Sequence, residues 1–351
     1  MTLTSCLPPL ATITVGSVPF LNVDEALDLV TKASPRIPAW PQMPGLGYRE
    51  GMVLQAMDGL PLLAVDQTGT GVQVLGNDRV QALTEFYEHF LTGDLDYFAV
   101  PNEASHSLKA FLDRAYPAFP GESEFLKAQT VGPITFGQSV RTLDGKNLID
   151  DPELADTLVK GLGAKAAWLA RQISMTGRTP IIFLDEPGLA EFGSAFSTLQ
   201  ADQVLAMLNE TADIARSFGP ANIGIHICGN TDWGLIAELN LEIINFDAFG
   251  YLDQFRLYPR QVKSFLERGG WIAWGIVPTR EFVGLETPEE LAEKLLTGWR
   301  ELAASGIDLD LLRNQALISP SCGLSTIGEK NAKAVLKILP EVAALVREKT
   351  N

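Results

Sequence analysis

Short apolar runs alternate with stretches of helical period along almost the whole chain, and this alternation constrains the fold more than any other feature. Runs rich in Ile, Val, Leu or Phe fall at 12–16, 37–42, 128–135, 180–185, 223–228, 242–247, 271–276 and 316–321. Most are bounded by Gly, Pro or Asn, as strands buried on both faces are. Between them, segments such as ADTLVKGLGAKAAWLARQI and EELAEKLLTGWRELAASG repeat apolar residues at spacings of three and four, the period of a helix. Eight strand–helix units predict an α/β chain folded as a closed (β/α)8 TIM barrel. The whole chain, 1–351, is expected to be one such domain. LPLLAVD at 60–66 with the following GTGVQVLG predicts a β-hairpin inserted after the second strand, and 86–119 predicts a helical excursion.

Hydrophobic residues make up 46% of the chain and charged residues 20%, enough apolar material for one large core. The net charge of -16 argues against nucleic acid and anionic membrane surfaces, which recruit basic patches. No apolar run approaches the ~20 residues of a membrane span. Met1 to Pro9 has no Lys or Arg and contains Pro8 and Pro9, so no signal peptide is read there. Three cysteines, Cys6, Cys228 and Cys322, do not make a disulfide framework. The expected compartment is a reducing cytoplasm, where thiols stay available to a metal.

The strongest local signal is IGIHICGN. His226 and Cys228 lie two apart in a strand, so period two puts both side chains on one face. The strand ends at Gly229, and the C-terminal ends of barrel strands carry active sites. Imidazole and thiolate together suit zinc better than magnesium or calcium. An H-x-C pair alone is also what an ordinary buried strand offers, because Cys and His are often buried. Cys322 makes the difference, since it follows the last expected strand, in ISPSCGLST, and belongs at the same end of the barrel. Three protein ligands with an exchangeable fourth position describe a catalytic zinc. Asp247, ending EIINFD, is a candidate fourth ligand. Cys6, His89 and His106 read as surface or packing residues, the two histidines in helices. Trp40, Trp233, Trp271 and Trp274 read as a donor pocket or as plain core.

IHICGN followed by SCGLST, with FLDEPGL upstream and TVGSVP near the start, resembles the catalytic barrel of cobalamin-independent methionine synthase. That family belongs to the uroporphyrinogen decarboxylase/methionine synthase-like superfamily. The resemblance runs from Thr12 to about Lys337. It implies a zinc held by His226, Cys228, Cys322 and a carboxylate matched by Asp247, where the family has glutamate. It implies that Ser17 contacts the carboxylate of the amino acid substrate and that Asp185 pairs with its ammonium. Glu186 is grouped with Asp185 as its catalytic partner. Three departures stand out. The family's full-length members carry two barrels. Their glutamate after the second strand is matched here by Gln42. The tryptophan that follows their GPVT motif is missing after GPIT. Together these resemble the short, one-barrel core methionine synthases, which implies a methylated corrinoid or corrinoid protein as donor in place of folate.

The expected activity is therefore zinc-dependent methyl transfer to homocysteine from methylcobalamin or a corrinoid protein, giving methionine. Zinc would make the thiol a thiolate nucleophile, and the barrel would position it. Competing readings are a coenzyme M-like acceptor, which has no amino group for Asp185, a uroporphyrinogen-type decarboxylase, which needs arginines in place of zinc, and a zinc- or corrinoid-holding accessory protein.

Overall fold

The computed structural model describes residues 6–76, 78–115, 123–192 and 199–350. Its strands are β1 (Ala11–Thr12), β2 (Leu63–Val65), β3 (Val72–Val74), β4 (Phe125–Val131), β5 (Thr179–Asp185), β6 (Asn222–Ile227), β7 (Ile243–Phe246), β8 (Trp271–Val277) and β9 (Ala316–Pro320). Seven of them form one all-parallel sheet in the order β1-β9-β8-β7-β6-β5-β4. The sheet curls, and helices follow its strands, in the manner of a TIM-like barrel.

The expected closed set of eight ladder strands is corrected to seven strands and one bridged segment. Residues 37–42 form no ladder strand. They make single parallel bridges, Ala39 to Lys127 in β4 and Gln42 to Ser17 beyond β1. Trp40 N donates to Lys127 O at 2.8 Å, and Gln42 N donates to Gly16 O at 3.1 Å. Pro38 and Pro41 have no N–H, so this segment cannot carry a continuous ladder. The expected strand 128–135 also divides. β4 ends at Val131, and Pro133 opens a helix, Pro133–Ser139, with Gly132 as its cap. Proline at the first helical position has the right φ and no N–H to lose.

The antiparallel hairpin β2–β3 stands where expected, with Leu63 opposite Val74. The helical excursion contains Arg79–Thr92 and Leu108–Arg114; its last residues, 116–119, lie outside the described residues. Lys165 ties this insertion to the long helix Pro152–Met175. Its buried Nζ donates to Asp58 O at 3.0 Å and Phe98 O at 2.9 Å. That helix starts sharply because Asp151 accepts from Glu153 N and Leu154 N and proline follows it. The helix Pro288–Ala304 has a reciprocal capping box between Thr287 and Glu290. No helix among the described residues is long and apolar enough to cross a membrane.

The inner face of the sheet changes character along its strands. Ile13, Phe125, Ile181, Phe183, Ile243, Trp271, Ala273 and Leu317 pack together as a separate apolar cluster toward the strands' N-terminal ends. The next inward positions are polar: Gln129 after Phe125 and Lys127, Asp185 after Phe183, Asn245 after Ile243, Ser319 after Leu317. Period two carries these side chains to the same face, and parallel strands bring them to the same end. An apolar plug thus supports a polar rim at the C-terminal edge.

Candidate metal centre

His226 is in β6 and Cys228 one residue beyond it; Cys322 follows β9. Their ligand atoms all lie within 4.8 Å of one another. The chain thus brings together three residues that span almost a hundred positions of sequence.

His226 is held in one tautomer. Its Nδ1 meets Asn245 Oδ1 at 2.6 Å. The Asn245 amide cannot be turned round, because its Nδ2 donates to Ala273 O at 2.8 Å and Ser319 Oγ at 2.7 Å. Oδ1 therefore faces the ring as an acceptor and Nδ1 carries the proton. In the neutral ring Nε2 therefore carries the lone pair, and it is buried and without a hydrogen-bond partner. A buried polar atom without a partner is costly unless something occupies its lone pair. One imidazole nitrogen and two sulfurs around that position fit zinc. Asn245 escaped the sequence reading; the signal available was a lone amide inside an apolar run, two residues before Asp247 on the same strand face.

The two thiols hold protons unequally. The hydrogen bond with Cys322, with help from His226 and Arg280, pulls the Cys228 thiol down to about 4 against the effect of burial. The same contact and burial push Cys322 up. Burial opposes protonation of His226, but Cys228, Asp185 and Asn245 together outweigh it and raise the imidazole.

A cavity of about 290 Å³ opens over this group, lined also by Ser17, Gln42, Glu50, Asp185 and Arg280. Asp185 ends β5, buried, with its Oδ1 unpartnered. Burial lifts its carboxyl to about 6, partly offset by Lys127 and His226. Lys127, buried beneath it, donates to Val15 O and to Gln129 Oε1 and is itself pulled down to about 7 by burial. Gln42 Nε2 donates to Gln55 Oε1 at 2.5 Å, which leaves its own Oε1 as an acceptor. Ser17 follows Gly16, whose φ of +146° only glycine adopts freely, and a Cβ there would meet the Gln129 amide at 2.6 Å. Leu324 N donates to Ser17 O at 2.8 Å, joining this turn to the loop that carries Cys322.

Glu186 and Asp247 do not line the cavity. Glu186 is fully buried, does not line the cavity, and accepts from Ile134 N at 2.9 Å, Thr135 N at 2.7 Å and Thr135 Oγ1 at 2.6 Å. It caps the helix Pro133–Ser139; burial raises its carboxyl to about 7 while these hydrogen bonds hold it down. Asp247 caps the helix Ala248–Phe255 by accepting from Gly250 N at 2.8 Å, and burial raises it to about 6. Its carboxylate is outside the group of three within 4.8 Å.

Sequence reasoning missed Glu50 and Arg280. Glu50 lines the cavity with its carboxylate bound to Met43 N at 2.8 Å and to His106 N and Nδ1 at 2.8 and 2.7 Å. His106 sits in a turn before the helix Leu108–Arg114, not in a helix as expected. Trp40, Trp233, Trp271 and Trp274 are buried core residues and none lines the cavity. A wider groove of about 780 Å³ lies outside the sheet, between the helices Ala248–Phe255 and Pro288–Ala304. Its Arg256 is already paired with Asp253 and Glu301.

No protein-family model matches the chain, and no curated protein matches it in sequence. Among the solved structures similar to it in fold are two that cover nearly the whole chain. One is a B12-independent methionine synthase from Shewanella sp. W3-18-1 in complex with selenomethionine, with a TM-score of 0.52 and 15% identity over 98% of this chain and 99% of that one. The other is a putative vitamin-B12 independent methionine synthase from Listeria monocytogenes, with a TM-score of 0.51 and 15% identity over 92% of this chain and 85% of that one. At such identity the likeness establishes the fold: this chain shares the α/β architecture of those proteins along nearly its whole length.

Proposed function

We propose that this chain is a zinc-dependent thiol methyltransferase of the single-barrel methionine synthase type, moving a methyl group from a methylated corrinoid or corrinoid protein to homocysteine. The observation that carries the reading is the buried, unpartnered His226 Nε2 beside Cys228 and Cys322 at the floor of a cavity. His226, Cys228 and Cys322 would hold the metal. We leave Asp247 out of the set, because its carboxylate caps a helix and because three protein ligands leave the position a substrate sulfur needs. Zinc, when bound, supplies a Lewis acid that lets a thiol lose its proton near neutral pH.

The chain's own residues do the rest. Asn245 fixes the His226 ring and tautomer, an arrangement that tunes and orients a metal ligand. Asp185, buried with Oδ1 free, offers its carboxylate to the ammonium of an amino acid, and Gln42 Oε1 offers a second acceptor. Ser17, held by its neighbours in the turn after Gly16, faces the same cavity and takes the substrate carboxylate. Glu186 is a positioning residue: it caps Pro133–Ser139, and its own N donates to His226 O at 2.8 Å, next to Asp185. In the transfer, a sulfur lone pair forms the new S–C bond. The methyl–cobalt bond breaks with its electron pair staying on the corrinoid, and the thiol proton goes to water. Alignment of sulfur, methyl and leaving group supplies much of the acceleration.

Asp185 also separates this reading from an amine-free acceptor such as coenzyme M, which would leave a buried carboxylate with no partner. The test is a methyl-transfer assay with homocysteine, comparing methylcobalamin with methyltetrahydrofolate before and after chelation. Methionine formed from methylcobalamin, lost on chelation and restored by zinc, is the expected result. No methionine from either donor with zinc-loaded protein overturns the reading.

A further inference from the structure

Among the described residues, Arg280 is the only basic side chain besides His226 that lines the cavity. It is exposed, and among the described residues it has neither a hydrogen-bond nor an ion-pair partner. Its backbone, by contrast, is fixed on both sides. Thr279 is buried, with its hydroxyl 3.0 Å from Ser321 Oγ, immediately before Cys322. Phe282 N donates to Thr279 O at 3.1 Å, and the Phe282 ring is buried. The loop is anchored while the guanidinium makes no hydrogen bond among the described residues; it lines the cavity within electrostatic reach of Cys228, in a protein of net charge -16. Guanidinium groups bind phosphate and carboxylate with two parallel hydrogen bonds.

We propose that Arg280 is a subsite for an oxyanion group of the methyl donor, a phosphodiester or a carboxylate. This rests on the methyl-transfer reading above. The acceptor thiol belongs on the buried floor with Asp185 and the three ligands. The donor must then reach the sulfur from the open side, where Arg280 stands. The two donor classes present different oxyanions: the corrinoid nucleotide loop has a phosphodiester, and the folate tail has glutamate carboxylates. A methylcobinamide, which lacks the nucleotide loop, has no phosphodiester and serves as the control.

The experiment compares zinc-loaded wild type with Arg280→Gln and Arg280→Lys. Equilibrium binding of methylcobalamin, methylcobinamide and methyltetrahydrofolate is measured by tryptophan fluorescence, and donor and homocysteine KM are measured separately. Losing a charge-assisted pair weakens binding about 10- to 100-fold. Arg280→Gln should show that loss for the donor whose oxyanion is held, with homocysteine KM unchanged and partial recovery in Arg280→Lys. If the phosphodiester is the group, methylcobinamide binding is insensitive to the substitution. If the carboxylates are, methyltetrahydrofolate alone responds. Unchanged donor binding in Arg280→Gln, or a rise in homocysteine KM in its place, overturns the inference while leaving methyl transfer standing. Absence of transfer in the wild type sinks the function, and the binding arm then still decides the oxyanion subsite.

Discussion

Replacing Asn245 with Leu tests how the fold prepares His226 for a metal. The side chain is buried and makes three hydrogen bonds, to His226 Nδ1, Ala273 O and Ser319 Oγ. Leucine fills similar space and satisfies none of them. Loss of three buried bonds predicts destabilisation of about 2–4 kcal/mol, more than one contact alone would give. The metal effect is separate. With no acceptor at Nδ1, the imidazole is free to place its proton on Nε2, and an outer partner of a metal ligand is worth about 10–100-fold in affinity. Asn245→Asp divides the two effects. It keeps an acceptor for Nδ1–H and lets the Ser319 hydroxyl turn to donate, but Ala273 O loses its donor. It should therefore retain more zinc affinity than Asn245→Leu while still losing stability. Zinc affinity is read by competition with a chromophoric chelator, and stability by urea unfolding of the metal-free protein. Zinc affinity in Asn245→Leu equal to wild type would refute the tautomer argument.

Other expectations follow from the same geometry. Cys322→Ser should lose zinc affinity by more than about 100-fold, beyond what an outer partner supplies, with the fold retained by far-UV circular dichroism. Asp185→Asn should raise homocysteine KM about 10- to 100-fold and leave an amine-free thiol such as 2-mercaptoethanesulfonate unaffected. The Asp185 carboxyl is raised to about 6 in the folded chain, so the folded state holds its proton more tightly than the unfolded state. Its contribution is greatest below the unfolded value near 4 and is lost as pH rises through about 6. Metal-free Asp185→Asn should accordingly gain about 2 kcal/mol over wild type between pH 4.5 and pH 8, seen in urea midpoints at the two pH values. Gly16→Ala, at φ +146°, should cost about 1–3 kcal/mol and raise homocysteine KM by displacing Ser17.

What the sequence made legible was local and periodic. His226 and Cys228 are two apart, and the strand period alone places them on one face. Cys322 follows an apolar run long enough to be a strand, so its end of the sheet was fixed too. The hairpin at 63–74 was marked by the Thr-Gly-Thr-Gly turn between two apolar stretches. What failed was either proline chemistry or a long-range partner. Residues 37–42 look like a strand by apolarity, but Pro38 and Pro41 reduce their pairing to bridges. GPIT looks like the continuation of β4, yet Pro133 begins a helix whose N-terminal N–H groups are claimed by Glu186, about fifty residues later. That distant capping is also why Glu186 read as a catalytic neighbour of Asp185. Asn245, Glu50 and Arg280 went unread because their roles depend on partners or a cavity supplied by other strands and loops.

The most direct test of the central claim is zinc-edge X-ray absorption on protein purified without chelators, with and without homocysteine. About one zinc per chain is expected, bound by two sulfurs and lighter atoms, with the sulfur count rising to three when homocysteine is added. Protein without zinc, or a sulfur count that homocysteine leaves at two, would contradict it.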